Sequence, residues 1–307
     1  MLGGTLLAAS RSPRLRRLVV AAPPTRRVVD RFVAGERLAD AMAAAGRLTG
    51  DGLSVTLDHL GEDVTAPAQA TAARDAYLRA LEAIGAAGLG GAVEVSVKLS
   101  AFGQALPGGH DLALANAEAV AAAATGAGTT MTLDMEDSST VGSTLAVLAA
   151  LREHHPGTGA VLQSYLHRTP DDARALSGAG SRVRLVKGAY REPPSVALRD
   201  KRDVDRAYEA CLRILMDGRG YPMVASHDPR MIASAGRAAA AAGRAPDSYE
   251  FQMLYGIRAA EQRRLSADGY RVRTYVPYGT DWYGYFMRRL AERPANLLFF
   301  ARALTTR

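Results

Sequence analysis

Eight short runs with a two-residue apolar rhythm recur along this 307-residue chain, and Ala-rich stretches long enough for one helix separate most of them. The runs cover residues 53–58, 93–99, 130–135, 160–165, 182–187, 221–226, 249–254 and 271–276. Helices are expected over 67–85, 110–125 and 138–154, with two more between 191 and 218. Alternation of strand and helix demands parallel strands joined by helical crossovers. Eight such units within roughly 240 residues match the ~250 of a (β/α)8 barrel.

Polar residues close each run: Asp58 and Glu62, then Lys98, Asp134, Gln163, Lys187, His227, Gln252 and Tyr275. In a barrel of this kind the C-terminal strand ends build the active site. Period two also assigns direction, because the apolar side of each strand must meet the helices. Val93, Val95, Val97 and Leu99 then face outward and leave Ser96 and Lys98 inside. Met131 and Leu133 leave Thr130, Thr132 and Asp134 inside, and Val183 and Leu185 leave Arg184 inside. By the same parity Lys187 points outward or lies just past its strand. Charge converging inside a barrel must pair, bind a ligand, or do both.

Basic residues number 38 against 31 acidic, yet only three are lysines, and two of these, Lys98 and Lys187, end apolar runs. The net charge of +7 is scattered and favours anionic ligands weakly. A single cysteine, Cys211, excludes an intramolecular disulfide framework and a cysteine metal cluster and fits a reducing compartment. No apolar run reaches the ~18 residues of a membrane span. The first 29 residues hold several arginines and no acid, and their segment P-R-L-R-R-L-V-V-A-A is read as a docked helix and not a transit peptide. One domain is expected: a helical region over 1–50 packed on a catalytic barrel over 51–307.

After the last run, Thr280 or Asp281 can cap a helix that Pro294 stops. Tyr285 lies one turn before Arg288 and Arg289, and the two arginines stand ~100° apart around the helix axis. If that helix crosses the barrel mouth, both guanidinium groups converge on one carboxylate.

Together these segments resemble the proline dehydrogenase family, particularly its short monofunctional bacterial members, related to the proline dehydrogenase domain of proline utilisation A. The resemblance rests on H-L-G-E at 59–62, S-V-K-L-S at 96–100, L-D-M-E at 133–136, V-L-Q-S-Y-L at 161–166 and R-L-V-K-G-A-Y at 184–190. It continues through S-H-D at 226–228, Q-M-L-Y-G-I-R at 252–258, R-T-Y-V-P-Y-G at 273–279 and Y-F-M-R-R-L at 285–290, with R-F-V-A-G-E at 31–36 ahead of the barrel.

The resemblance implies a distorted TIM-like barrel with N-terminal helices and a C-terminal helix over its mouth. It also implies non-covalent FAD, oxidation of L-proline to Δ1-pyrroline-5-carboxylate, and electron transfer to a membrane quinone. The product would pass to a pyrroline-5-carboxylate dehydrogenase, and the protein would be cytoplasmic, peripheral at the inner face of the membrane. Carried onto this chain, Arg288 and Arg289 grip the proline carboxylate, Glu62 pairs with Arg288 as a gate, and Lys98, Leu254, Tyr275 and Tyr285 line the substrate pocket. Asp134 matches the catalytic-site aspartate, as base or as orienting partner, and Arg184 matches the arginine beside flavin N5. The flavin contacts fall to Met135, Gln163, Arg184, Val186, Lys187, Gly188, Ala189, Ser226 and His227, with Gly188 admitting the cofactor close to the backbone. Arg191 and Asp228 depart from the longer relatives, which carry tryptophan at the first position and in some cases asparagine at the second.

Two rival readings stand beside this one. A Schiff-base lyase or aldolase would use Lys98 as its nucleophile. A basic nucleic-acid or membrane-surface protein fits the charge but lacks any stripe of arginines with interleaved aromatics. A dinucleotide fold is excluded, since T-G-A-G-T-T at 125–130 precedes its strand and lacks the third glycine. No metal is implied.

Overall fold

The computed structural model describes residues 29–292 apart from Asp63, and the side chains of 290–292 also lie outside the description. The proposed N-terminal helix and the stop at Pro294 therefore fall outside the described residues.

Eight parallel strands pair in sequence order and close on themselves. They are β1 (Ser54–His59), β2 (Val93–Val97), β3 (Met131–Leu133), β4 (Gly159–Gln163), β5 (Arg182–Val186), β6 (Tyr221–Ala225), β7 (Glu250–Leu254) and β8 (Arg271–Tyr278). Closure runs from Ser54 opposite Arg273 to His59 opposite Tyr278. Outward side chains such as Val55, Leu57, Val95, Leu133, Leu185, Phe251 and Val276 are fully covered, which is what the period-two reading requires.

Among the described residues the α-helices are α1 (Leu38–Gly50), α2 (Pro67–Ala86), α3 (Gly109–Gly126), α4 (Val141–His154), α5 (Thr169–Ala175), α6 (Lys201–Asp217), α7 (Pro229–Ala241), α8 (Ala259–Ala267) and α9 (Trp282–Glu292). Alanine dominates α3 because it combines the best helix propensity with a short reach to the sheet. Asp200 and Asp228 cap α6 and α7 by accepting backbone N–H bonds from their first turns.

Helix α1 packs Ala41, Ala44 and Ala45 into the core that contains Val55 and Leu57 of β1 and Val276 and Tyr278 of β8. It thereby fills the ring position that the helix after β8 would otherwise take. Helix α9 instead shares a cluster with Val29, Phe32, Val33 and Leu60, through Trp282, Tyr283, Tyr285, Phe286 and Met287. Backbone bonds from Ala34 N–H to Pro277 O (2.9 Å) and from Gly279 N–H to Gly35 O (3.0 Å) bind the segment before α1 to the end of β8.

Two expectations need correction. Residues 191–218 hold one helix, not two, because Pro193 and Pro194 supply no N–H and their surroundings bond to the end of β4 instead. There Leu198 N–H donates to Tyr165 O (2.8 Å) and His167 N–H to Val196 O (2.9 Å). The second strand ends at Val97, since Leu99–Phe102 turns into a 3-10 helix, and the third spans only Met131–Leu133.

Candidate active site

The barrel interior is charged from its lower layer upward. Glu94 of β2, fully buried, accepts a hydrogen bond from Thr56 (2.9 Å) and pairs with Arg182 at 2.7 Å, Arg184 at 3.7 Å and Arg273 at 3.8 Å. Burial disfavours its charge, but the three arginines outweigh that and hold its carboxyl down at about 2. Glu250 takes Arg273 at 2.8 Å. Sequence reasoning missed Glu94, Arg182, Glu250 and Arg273, although each shares the inward parity of a residue it did assign.

Above this layer stand the assigned residues. Asp134, just past β3, accepts hydrogen bonds from Arg184 Nη1 (2.6 Å), Tyr275 Oη (2.6 Å) and Ser96 Oγ (2.8 Å). The Arg184 guanidinium also lies 5.3 Å from the centre of the Tyr275 ring. Four strands thus converge on one carboxylate. Lys98 Nζ reaches both oxygens of Asp58 at 3.1 Å and lies 3.8 Å from Asp134 and from Glu62. Burial works against its ammonium, yet the carboxylates of Asp58, Asp134 and Glu62 prevail and raise its pKa well above the lysine range. Asp58, the closest partner, was read from sequence only as a polar strand end.

Glu62, on the loop after β1, accepts from Arg288 Nη2 of α9 at 2.8 Å. Burial opposes its charge too, but Lys98 and Arg288 hold its carboxyl below the usual range. Helix α9 therefore lies over the mouth. One turn of the same helix stacks the Arg289 guanidinium 5.1 Å from the centre of the Tyr285 ring. Leu254 closes β7, half-buried, and donates its N–H to His227 Nε2 at 2.9 Å. Tyr190, half-exposed in the loop after β5, was not singled out from sequence. Burial raises its phenol well above the tyrosine range, and Glu136 and Glu62 push the same way.

The ends of β4, β5 and β6 carry the remaining assignments. Gln163 donates to Glu136 O (2.7 Å), Ser226 Oγ accepts from Asp228 N–H (3.1 Å), Met135 is buried beside half-buried Val186, and Ala189 is exposed in the loop after β5. Because His227 Nε2 accepts a hydrogen bond, the neutral ring carries its proton on Nδ1 and can donate there. Lys187 lies past β5, its ammonium held by Asp205 at 2.5 Å and Asp228 at 3.2 Å. Asp228 at this position thus gives Lys187 a counter-charge that asparagine would not. Gly188 also has a reason within the fold. Its φ is +118°, and a Cβ there would overlap the Tyr165 ring, so the glycine admits that ring.

At the strand ends stand the buried Arg184 guanidinium, whose Nη2 has no hydrogen-bond partner, the Gln163 amide and the His227 imidazole, donors that suit a flat, electron-accepting ring. Among the described residues no group of three or more potential ligands is arranged for a metal ion, and no helix is long and apolar enough to cross a membrane.

The proline dehydrogenase family model matches residues 41–302. Proline dehydrogenase of Deinococcus radiodurans is 42% identical over 282 residues, covering 90% of each chain. Proline dehydrogenase 1 of Bacillus subtilis is 38% identical over 280 residues, covering 91% of each. Among solved structures, proline utilization A (PutA) from Bdellovibrio bacteriovorus, inactivated by N-propargylglycine, superposes with a TM-score of 0.79 at 25% identity over 87% of this chain. The match takes in 32% of that chain, so the present sequence corresponds to about a third of PutA. Over nearly its whole described length, this chain belongs to the proline dehydrogenase family.

Proposed function

We propose that the barrel mouth binds FAD non-covalently and oxidises L-proline to Δ1-pyrroline-5-carboxylate, the first step of proline catabolism. The observation that carries this reading is the cross-mouth network in which Asp134 gathers Arg184, Tyr275 and Ser96 while Glu62 ties Arg288 of α9 above Lys98. When bound, FAD would supply the acceptor for the two electrons and two hydrogens that L-proline loses as its ring nitrogen and C5 become a C=N bond.

Arg184, Met135, Gln163, Val186, Lys187, Gly188, Ala189, Ser226 and His227 would hold the cofactor. Arg288 and Arg289 grip the substrate carboxylate, and fixing that end orients C5, chiefly a positioning contribution. Lys98, Leu254, Tyr275 and Tyr285 line the pocket, and the Glu62–Arg288 pair excludes water when α9 is down. Asp134 acts as an orienting partner, since both its oxygens are already engaged. Arg184 offers positive charge where the reduced ring gathers electron density.

Three carboxylates around Lys98 favour its charged form, whereas a Schiff-base nucleophile must be a neutral amine. That disfavours the lyase reading. Electrons leave to a membrane quinone, which calls for peripheral contact with the inner face of the membrane from the cytoplasm. The product goes on to a pyrroline-5-carboxylate dehydrogenase. A visible spectrum of the purified protein followed by anaerobic titration with L-proline tests the core of the proposal. Flavin absorption bleached by L-proline is expected, and a colourless protein that cannot be reconstituted with FAD refutes it.

A further inference from the structure

Gln252 of β7 and Glu250 below it belong to no assignment made so far, yet both are buried, at 4% and 1% exposure. Gln252 Oε1 accepts from Arg184 Nε at 2.5 Å, and Gln252 Nε2 donates to Glu250 Oε1 at 2.6 Å. Glu250 is itself fixed by Arg273, whose Nη1 donates to Val55 O at 2.9 Å. A carboxylate can only accept, so Glu250 must face the amide nitrogen, and the amide oxygen is left to face Arg184. The two neighbours dictate the same orientation of the amide.

This bears on charge. Four cations in the barrel interior, Lys98, Arg182, Arg184 and Arg273, form ion pairs with four carboxylates, Asp58, Glu94, Asp134 and Glu250. A neutral amide at 252 keeps that balance. Arg184 has one close carboxylate, Asp134 at 2.6 Å, which also lies 3.8 Å from Lys98. Its Nη2 is buried without a hydrogen-bond partner, 3.7 Å from Glu94.

We infer that Gln252, turned by Glu250, is a positioning residue that holds Arg184 at the barrel mouth as an incompletely neutralised cation and so sets the electron affinity of the bound flavin. The inference rests on the function proposed above. Without the amide oxygen, the Nε edge of Arg184 loses its buried acceptor, and Glu94 beneath draws the guanidinium away from the mouth.

Gln252→Met keeps the length of the side chain and removes both hydrogen-bonding groups, while Gln252→Asn keeps an amide one methylene too short. In the flavin-loaded protein either variant is expected to lower the flavin midpoint potential and slow anaerobic flavin reduction by L-proline about tenfold or more, with KM changed less than about twofold. An unchanged potential in whichever variant folds overturns the inference. So does a parallel loss of flavin, KM and kcat, which marks a structural role only. Wild-type protein that takes up no flavin defeats the proposed function instead, before any variant is made.

Discussion

Lys98→Met separates the two things a buried lysine can do in this barrel. The ammonium sits 3.1 Å from both oxygens of Asp58, with side-chain exposures of 13% and 1%. Methionine keeps most of the stem and leaves Asp58 with the Tyr77 hydroxyl at 3.3 Å. Breaking a buried ion pair from one side costs ~3–5 kcal/mol. Lys98→Met should therefore lose about 4 kcal/mol in urea unfolding, while Lys98→Met/Asp58→Asn should recover all but about 1–2 kcal/mol of it. Flavin reduction by L-proline, followed anaerobically by stopped flow, should stay slow by about tenfold or more in both, equivalent to at least ~1.4 kcal/mol of barrier. A double variant that regains rate together with stability would show that Lys98 serves the fold alone. A single variant that loses less than about 1 kcal/mol would mean that the pair carries no net energy.

Arg289→Met should raise KM for L-proline by about tenfold or more, as loss of a charge-assisted hydrogen bond worth ~1.5–3 kcal/mol implies, and leave flavin content unchanged in the visible spectrum. Glu62→Ala should do the same more weakly, because the pair it breaks is 22% and 32% exposed and partly screened, and a KM effect larger than that of Arg289→Met would contradict the gate. Acid unfolding should begin late. Glu94 and Glu62 have folded pKa values below their unfolded ones, so their stabilisation is present above the ordinary carboxylate range near ~4.3 and fades as pH falls toward about 2. Urea midpoints measured across that window should decline with acidification, and Glu94→Gln should flatten the decline. Gly188→Ala should lower the melting temperature through positive φ and displacement of Tyr165, a cost of ~1–3 kcal/mol, and an unchanged melting temperature would mean that the loop relaxes freely.

The eight strands and the inward direction of Ser96, Lys98, Asp134 and Arg184 were legible because period two survives wherever a strand has one face against helices. The Glu62–Arg288 pair was reached through resemblance, since nothing local joins residues so distant in the chain. The lower layer escaped for a physical reason: barrel interiors are ordinarily filled by branched apolar side chains. Glu94, Arg182, Glu250 and Arg273 invert that rule, and only their mutual pairing makes the inversion tolerable. Asp58 was visible as a strand end, but its choice of Lys98 over other cations depends on register across β1 and β2. The role of Gly188 needed the ring of Tyr165 in place, and the single helix in 191–218 needed the loop wrapped back on β4.

The eighth place in the helical ring belongs to α1, so the wall of the barrel is complete before α9 is added. Lifting α9 exposes no strand edge and breaks none of the bonds between β8 and β1. What must slip includes the apolar seam where Phe286 and Trp282 meet Phe32 and Leu60, the hydrogen bond from Trp282 Nε1 to Glu36 (3.3 Å) and the Glu62–Arg288 pair. Durability and turnover are thereby assigned to opposite ends of the molecule. Substitutions in α1 should age the protein without changing how it handles substrate, and substitutions along the seam should alter residence time at the mouth in a barrel that survives just as long.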